Sequence, residues 1–418
     1  MNIIRTQKYS YFDYIIIFFT LMYVAVDSIN GFIIRSGVNL LSLSQIYKSF
    51  IFFFMIVSIM SESKKYFLYL SSLFSIFLLL IIYHSLNYSK LTDFVNDVIF
   101  FNKIVFVLVS FLYFKTLLSK NINRIDFIFL LLTIVFISIV CVNIILGIVG
   151  IGFESDYGDE LGSVGFFYAG NEVSALMIVL AAPLFFLLWE KSIFYYLILA
   201  AFLLFIALFK ATKVAIFGTI LIIICTPLLH EKNRILKLTK LKFKYVIASI
   251  VVLPIFGYIV YMIIDQIGIL NRWKYFYNKA GILYAVFSGR IDVAPIALGA
   301  FLNDYSFLQM LFGKGTVGYK ENIARYTGES QIIEVDFLDI LLSYGGIGTF
   351  CIYTFWISFL IFSGKRFIDK RYYYAPIVFF TNLLLLAASF ASGHVLWSGM
   401  ASLPIGLLNA MMYYKASE

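Results

Sequence analysis

Three acids fall within six residues, Glu334, Asp336 and Asp339, and run straight into an apolar stretch beginning at Phe337. A carboxylate within reach of a hydroxyl can take its proton. Asp336 and Asp339, three residues apart, share one face if a helix has begun. Cations stand upstream in polar company: Arg290 in Ser288-Gly289-Arg290, Lys314 in Phe312-Gly313-Lys314-Gly315, and Arg325 in Ile323-Ala324-Arg325-Tyr326. Lys210 and Lys213 flank a tight turn, and Asn171 and Glu172 follow Gly170 at the head of another apolar run. Arginine offers a planar fork of donors suited to phosphate oxygens, and glycine allows turns and close backbone approach. Together these types suit group transfer with an anionic leaving group, whose charge Arg or Lys neutralises without a metal. Each string also has a plain structural counterpart. Acids favour helix starts through the dipole, lysines at span edges snorkel, and Gly-Arg or Gly-Lys strings make solvated turns.

The elements that must position these residues are membrane helices. The 418 residues are 62% hydrophobic and only 13% charged, with 46 Phe and 30 Tyr. Soluble domains carry about a quarter charged residues, so the solvent for most of this chain must be lipid. Twelve runs have the length of spans: 14–34, 41–60, 66–86, 98–118, 127–149, 173–189, 193–209, 213–229, 245–264, 337–362, 375–391 and 395–413. The expectation is a single integral membrane domain over 1–418, all-α and polytopic, with about twelve spans. Lys48 and Lys103 fall inside spans and call for acidic partners such as Asp27 or Asp97. Cys141, Cys225 and Cys351 are scattered, and His84, His230 and His394 are isolated, so no metal or other cofactor is expected.

Orientation follows from the basic residues. With the amino terminus inside, nineteen of the 32 Lys and Arg fall in inner segments and four in the short outer loops. Both termini are then cytoplasmic, and the net charge of +9 reflects topology rather than nucleic-acid binding. The basic connector from Glu231 to Lys244 faces anionic lipid. Two polar segments are left outside: an acidic loop, 150–172, with Glu154, Asp156, Asp159 and Glu160, and a long insert, 265–334, between the ninth and tenth spans. Compact connections are usually a few residues, so an insert of this length implies function. It opens with a basic, aromatic-rich amphipathic pattern over Ile269–Phe287, suited to lying in the headgroup layer or packing on the bundle.

In chain order stand Gly165-Phe166-Phe167-Tyr168-Ala169-Gly170-Asn171, Thr212-Lys213, Ser288-Gly289-Arg290, Phe312-Gly313-Lys314-Gly315, and Glu334-x-Asp336-x-x-Asp339 before Ser343-Tyr344-Gly345-Gly346-Ile347-Gly348. This order resembles the O-antigen ligase and polymerase superfamily, in particular Wzy-type polymerases of O-antigen or capsular repeat units. The resemblance implies a GT-C-like, metal-independent, inverting glycosyltransferase of the bacterial cytoplasmic (inner) membrane. Its substrate would be undecaprenyl-diphosphate-linked oligosaccharide among membrane lipids, with a flippase and a chain-length regulator as pathway partners. Ligase members of that superfamily carry a His-Asn pair where this chain has Glu334 and Val335, a departure that favours polymerisation over ligation; a ligase or a flippase is the alternative. On this footing Arg290, Arg325 and Lys213 bind diphosphate with Lys314 and Lys210 in support. Glu334 serves as base, and Asp336, Asp339, Asn171 and Glu172 hold sugar or orient the cations. Trp273, Tyr277, Tyr319 and Tyr326 offer faces for sugar rings, with packing the main role of the first two.

Overall fold

The computed structural model describes residues 9–38, 42–86, 90–120, 122–154, 162–230, 269–287, 290–330, 332–369 and 371–415. The expected ninth span, the connector from Glu231 to Lys244, the first residues of the insert, Ser288-Gly289, and Asp156, Asp159 and Glu160 lie outside them.

Helices α1 (Tyr11–Leu21), α2 (Tyr23–Arg35), α3 (Leu43–Glu62), α4 (Lys64–Ser85), α5 (Leu91–Lys120) and α6 (Ile122–Ile148) come first. A small antiparallel pair follows, β1 (Phe153–Glu154) with β2 (Ser163–Gly165). Then come α7 (Gly170–Lys191), α8 (Ile193–Lys210) and α9 (Lys213–His230). The insert supplies α10 (Ile269–Phe287), α11 (Arg290–Asp304), α12 (Phe307–Phe312) and α13 (Gly315–Thr327). The chain closes with α14 (Asp336–Phe367), α15 (Ala375–Ala391) and α16 (Ser402–Met411).

Among the described residues eight helices, α3 to α9 and α14, are long and apolar enough to cross a membrane, and up to ten spans result if each bent pair counts as one. One such pair is α1 with α2, bent by 40°. The chain is an all-α, multi-pass membrane protein. Helix α7 is its centre, with 83% of its apolar window buried. Around the outside Phe50, Phe53, Leu78, Leu79, Tyr195 and Leu197 are more than half exposed. Water would not tolerate apolar faces so extensive, whereas lipid does.

The expected twelfth span is corrected. Residues 392–401 are irregular, and α16 has only ten residues, about 15 Å against a hydrocarbon core of about 30 Å. Irregular backbone between apolar helices survives only where its polar groups find partners, and buried charges supply them here. Asp336 Oδ2 accepts from the N–H groups of Val395 (3.0 Å) and Leu396 (2.8 Å). Glu172 Oε2 accepts from Met400 N–H (2.8 Å) and Ser398 Oγ (2.7 Å). The Gly399 carbonyl accepts from the Tyr23 hydroxyl (2.6 Å) and the Lys48 ammonium (2.7 Å).

Lys48 also pairs with Asp27 at 2.6 Å, as its place inside a span requires. Lys103 does not pair with Asp97. That carboxylate is taken by His84 Nδ1 (2.6 Å) and by the N–H and hydroxyl of Thr316 (both 2.7 Å). His84 Nε2 reaches the Phe312 carbonyl at 2.8 Å, so α4 and α5 grip the insert together.

The two glycine strings are each other's partners. Gly313 (φ 85°) and Gly345 (φ 64°) are left-handed. A Cβ on Gly313 would stand 2.1 Å from the Ser343 carbonyl oxygen, and one on Gly345 2.4 Å from that of Leu311. Only glycine permits this conformation and approach together. Gly345 breaks the helical backbone of α14, and Lys314 N–H donates to the Leu342 carbonyl at 3.2 Å. A small core of Ala297, Tyr305, Tyr319, Ile323 and Leu338 seals the insert onto the start of α14. The aromatic residues of helix α10 divide between packing and exposure. Trp273 stacks on Phe217 of α9 (5.5 Å, 20°), while Tyr277 and Leu283 remain exposed.

Candidate functional site

Glu334 is held by side chains rather than by the backbone. Arg290, the first residue of α11, donates through Nη2 to Glu334 Oε2. His394 Nε2 lies 3.8 Å from Oε1. The histidine sits in the irregular stretch that Asp336 and Glu172 fasten, its ring parallel to Trp397 at 6.1 Å. Three non-glycine residues among those described have positive φ: Ala211 (56°), Glu334 (62°) and His394 (57°). Each such residue costs on the order of 1–2 kcal/mol. Two of the three face each other, and the third turns the chain directly after Lys210. Gly393 makes the approach possible, since a Cβ there would lie 2.5 Å from the Glu334 carbonyl.

The electrostatics follow from that geometry. Burial alone would raise the Glu334 pKa, but His394 and Arg290 outweigh it and hold the carboxyl below its usual range. Burial would likewise push His394 down, and Glu334, with Asp336 and Glu172 behind it, raises it instead. Glu334 is therefore an ionised carboxylate at neutral pH, bonded to the Arg290 cation, and its charge favours the protonated form of His394.

Two hollows meet at this cluster. A polar cavity of about 390 Å³ is lined by Glu334, His394 and Trp397 on one side, and by Phe100, Lys103, Asn171, Glu172 and Lys210 on others. An apolar groove of about 590 Å³ runs between α9, α10 and α15, walled by Val214, Phe217, Trp273, Ile282, Val286 and Leu384. Ala391 lines the groove, and its carbonyl accepts from Arg290 Nη1 at 3.4 Å. Arg290 thus touches the end of the groove with one nitrogen and the cavity's carboxylate with another.

Arg290, Glu334, Lys210, Asn171 and Glu172 come together as the sequence leads one to expect. The others stand elsewhere. Lys213 lines the groove, its ammonium on the carbonyls of Ala285 and Val286 at the end of α10. Asp336 and Asp339 are fully buried clamps rather than sugar ligands. Asp339 Oδ1 accepts from the Tyr319 hydroxyl (2.8 Å) and Ile333 N–H (3.0 Å), which also removes the buried Tyr319 from any stacking role. Lys314 lies over the Tyr305 ring (4.1 Å) and donates to the Asp304 carbonyl (3.2 Å), with burial lowering its pKa. Arg325 is exposed on the last turn of α13 and lines neither hollow, and the Tyr326 hydroxyl donates to Asp304 (2.8 Å).

His394, Trp397 and Lys103 are the site residues that sequence reasoning missed. Gly393-His394 and Ser398-Gly399 interrupt a run otherwise apolar enough to pass as a span. Two glycines around a histidine there are the readable sign of an unwound segment. No family model, curated protein or solved structure matches the chain. The side chains of the cluster supply a carboxylate that can accept a proton, cations that can meet an anion, and aromatic walls around a polar hollow.

Proposed function

We propose that the protein is a glycosyltransferase of the O-antigen polymerase type. It would join undecaprenyl-diphosphate-linked oligosaccharide repeat units into O-antigen or capsular polysaccharide on the outer side of the bacterial cytoplasmic membrane, with both termini cytoplasmic. The observation that carries this reading is the ionised Glu334, gripped by Arg290 and His394 where a polar cavity meets an apolar membrane groove. A lipid-linked sugar needs that combination: an apolar run for the isoprenoid, a cation for the diphosphate and a polar, aromatic-walled space for the glycan.

The chemistry divides among few groups. An acceptor hydroxyl attacks the anomeric carbon, and the bond from that carbon to the phosphate oxygen breaks with its electron pair on the diphosphate. Arg290 neutralises the leaving charge, exchanging its bond to Glu334 for bonds to phosphate. The exchange strips one cation from Glu334, raises the carboxylate's affinity for a proton, and lets it take the one the hydroxyl loses. A single displacement of this kind inverts the anomeric configuration. Lys210 and Asn171 orient the glycan from the opposite wall, where Glu172 fastens the irregular stretch through Ser398 and Met400.

Deleting the gene and sizing the surface polysaccharide tests the reading. Loss of long chains with retention of a single displayed repeat unit is expected. Loss of every displayed unit would instead make the protein a flippase.

A further inference from the structure

Two cations rest on the end of α10. Lys213, the first residue of α9, donates to the carbonyls of Ala285 and Val286, the latter at 3.2 Å. Arg290 Nη1 donates to the next carbonyl along, that of Phe287, at 3.4 Å. Successive Cα atoms are about 3.8 Å apart, so the ammonium and the guanidinium are neighbours across one peptide unit. The last four carbonyls of a helix have no partner inside it, and the two cations hold three of the four here.

Helix α10 is built in two pieces. Its helical backbone breaks at Ala280 and Gly281, where Gly281 has φ 83° and nothing lies within 4 Å of the place a Cβ would take. Glycine enters and leaves that conformation without a steric penalty. The piece beyond the break, 282–287, walls the apolar groove through Ile282, Ala285 and Val286. It is lightly packed, with Ile282 69% and Leu283 63% exposed. The Tyr284 hydroxyl ties it to Asp292 of α11 at 2.5 Å.

Hydrogen bonds between ionised partners are about twice as strong as those between neutral ones. A diphosphate at the end of the groove therefore outcompetes neutral carbonyls for Lys213 and for the Arg290 nitrogen beside it. The same exchange takes from the short piece the two cations that hold its last turn.

We propose that residues 282–287 form a strap whose terminal carbonyls compete with the lipid diphosphate for Lys213 and Arg290, and that the diphosphate displaces the strap by a turn about Gly281. The strap makes the groove wall respond to the headgroup, so an isoprenoid without a diphosphate does not move it. The proposal deepens the glycosyltransferase reading and rests on it for the identity of the lipid.

Spin labels test it in the full chain in lipid nanodiscs, at Val286→Cys on the strap and Leu228→Cys on α9, with Cys141, Cys225 and Cys351 replaced by alanine. Leu228 is fifteen residues from Lys213 along α9, about 22 Å, so the distance between labels suits pulsed electron resonance. Undecaprenyl diphosphate should shift that distance by about 5 Å, roughly half the length of a six-residue helix, and undecaprenol should leave it unchanged. Lys213→Met should shift it without any ligand, and Lys213→Arg, which keeps the charge, should not. Gly281→Ala disfavours the bend, so undecaprenyl diphosphate should bind about tenfold more tightly, the scale of one alanine in the left-handed region. A label that stays in place under bound undecaprenyl diphosphate overturns the strap and leaves the polymerase reading standing. So does an equal shift with undecaprenol. A chain that binds no undecaprenyl diphosphate overturns it as well. A strap that moves as stated, in a protein that elongates no lipid-linked repeat unit, upholds the strap and sinks the polymerase reading.

Discussion

Glu334 and Asp336 are two residues apart, and the fold uses them in opposite ways. Asp336 is fully buried, and its Oδ2 accepts two backbone N–H groups of the irregular stretch before α16. Glu334 keeps 37% of its side chain exposed, sits in a left-handed backbone conformation, and is held by the side chains of Arg290 and His394. A carboxylate bonded to backbone amides cannot leave them without unmaking the fold. One held by side-chain cations can trade partners with an incoming anion. Buried charge in this protein is therefore of two kinds, and the donor type tells them apart.

Removing the clamp should have the largest effect. Asp336→Ala leaves the amides of Val395 and Leu396 without an acceptor and should cost about 3–5 kcal/mol, seen as loss of monodisperse protein or a collapsed melting temperature in detergent. Asp336→Asn keeps an acceptor oxygen in place, so it should fold and retain activity. An Asp336→Asn protein that folds but elongates nothing would break the comparison, because it would show that the charge, and not the hydrogen bond, matters there.

Glu334→Gln should give the reverse result. Glutamine fills the same space and still accepts from Arg290, so the fold survives. It cannot take a proton at neutral pH, and elongation of lipid-linked repeat units should fall by about 10²–10⁴-fold with little change in melting. Equal activity of the Glu334→Gln variant and the native chain would sink the assignment of the base.

What the sequence let one read follows the same division. Apolar runs declare α3 to α9 and α14 because span length and hydropathy are local properties. Glu334 and Arg290 were visible as polar residues with no local reason to be where they are. Gly313, beside Lys314, looked suited to a phosphate because close approach of backbone to backbone and of backbone to phosphate demand the same residue. Only the fold shows that the approaching group is Ser343. His394 was hidden for a different reason. Its segment is unwound by carboxylates more than fifty residues away in sequence, Asp336 and Glu172, and no window of hydropathy contains that information. Lys103 misled in the same way, since its nominal partner Asp97 is claimed by His84 and Thr316.

The pH dependence of stability sharpens the picture of the cluster. Glu334 has its pKa lowered in the fold, so its contribution is present above the ordinary value of 4.5 and fades as pH falls through the lower folded value. His394 has its pKa raised, so its contribution is complete below the ordinary 6.5 and is lost as pH rises through the higher folded value. The cluster should therefore stabilise most between those two ordinary values. Thermal melting across that range and above it should show an alkaline decline that His394→Gln flattens. A decline unchanged by His394→Gln would separate the histidine from Glu334.

Arg325→Ala should have the smallest effect, and it tests the comparison from the outside. Arg325 is exposed at the end of α13, where its charge meets the helix dipole favourably but also bears on Lys314, whose pKa it helps to lower. The two influences oppose each other, and no buried group loses a partner on truncation. Stability should shift by no more than about 0.5 kcal/mol, as for surface substitutions generally, and elongation should stay within about twofold, since the side chain borders neither hollow. A tenfold loss of elongation in a stable Arg325→Ala protein would mean that α13 moves toward the cavity when substrate binds. The line between clamp and chemistry would then have to be redrawn to include the outer face of the insert.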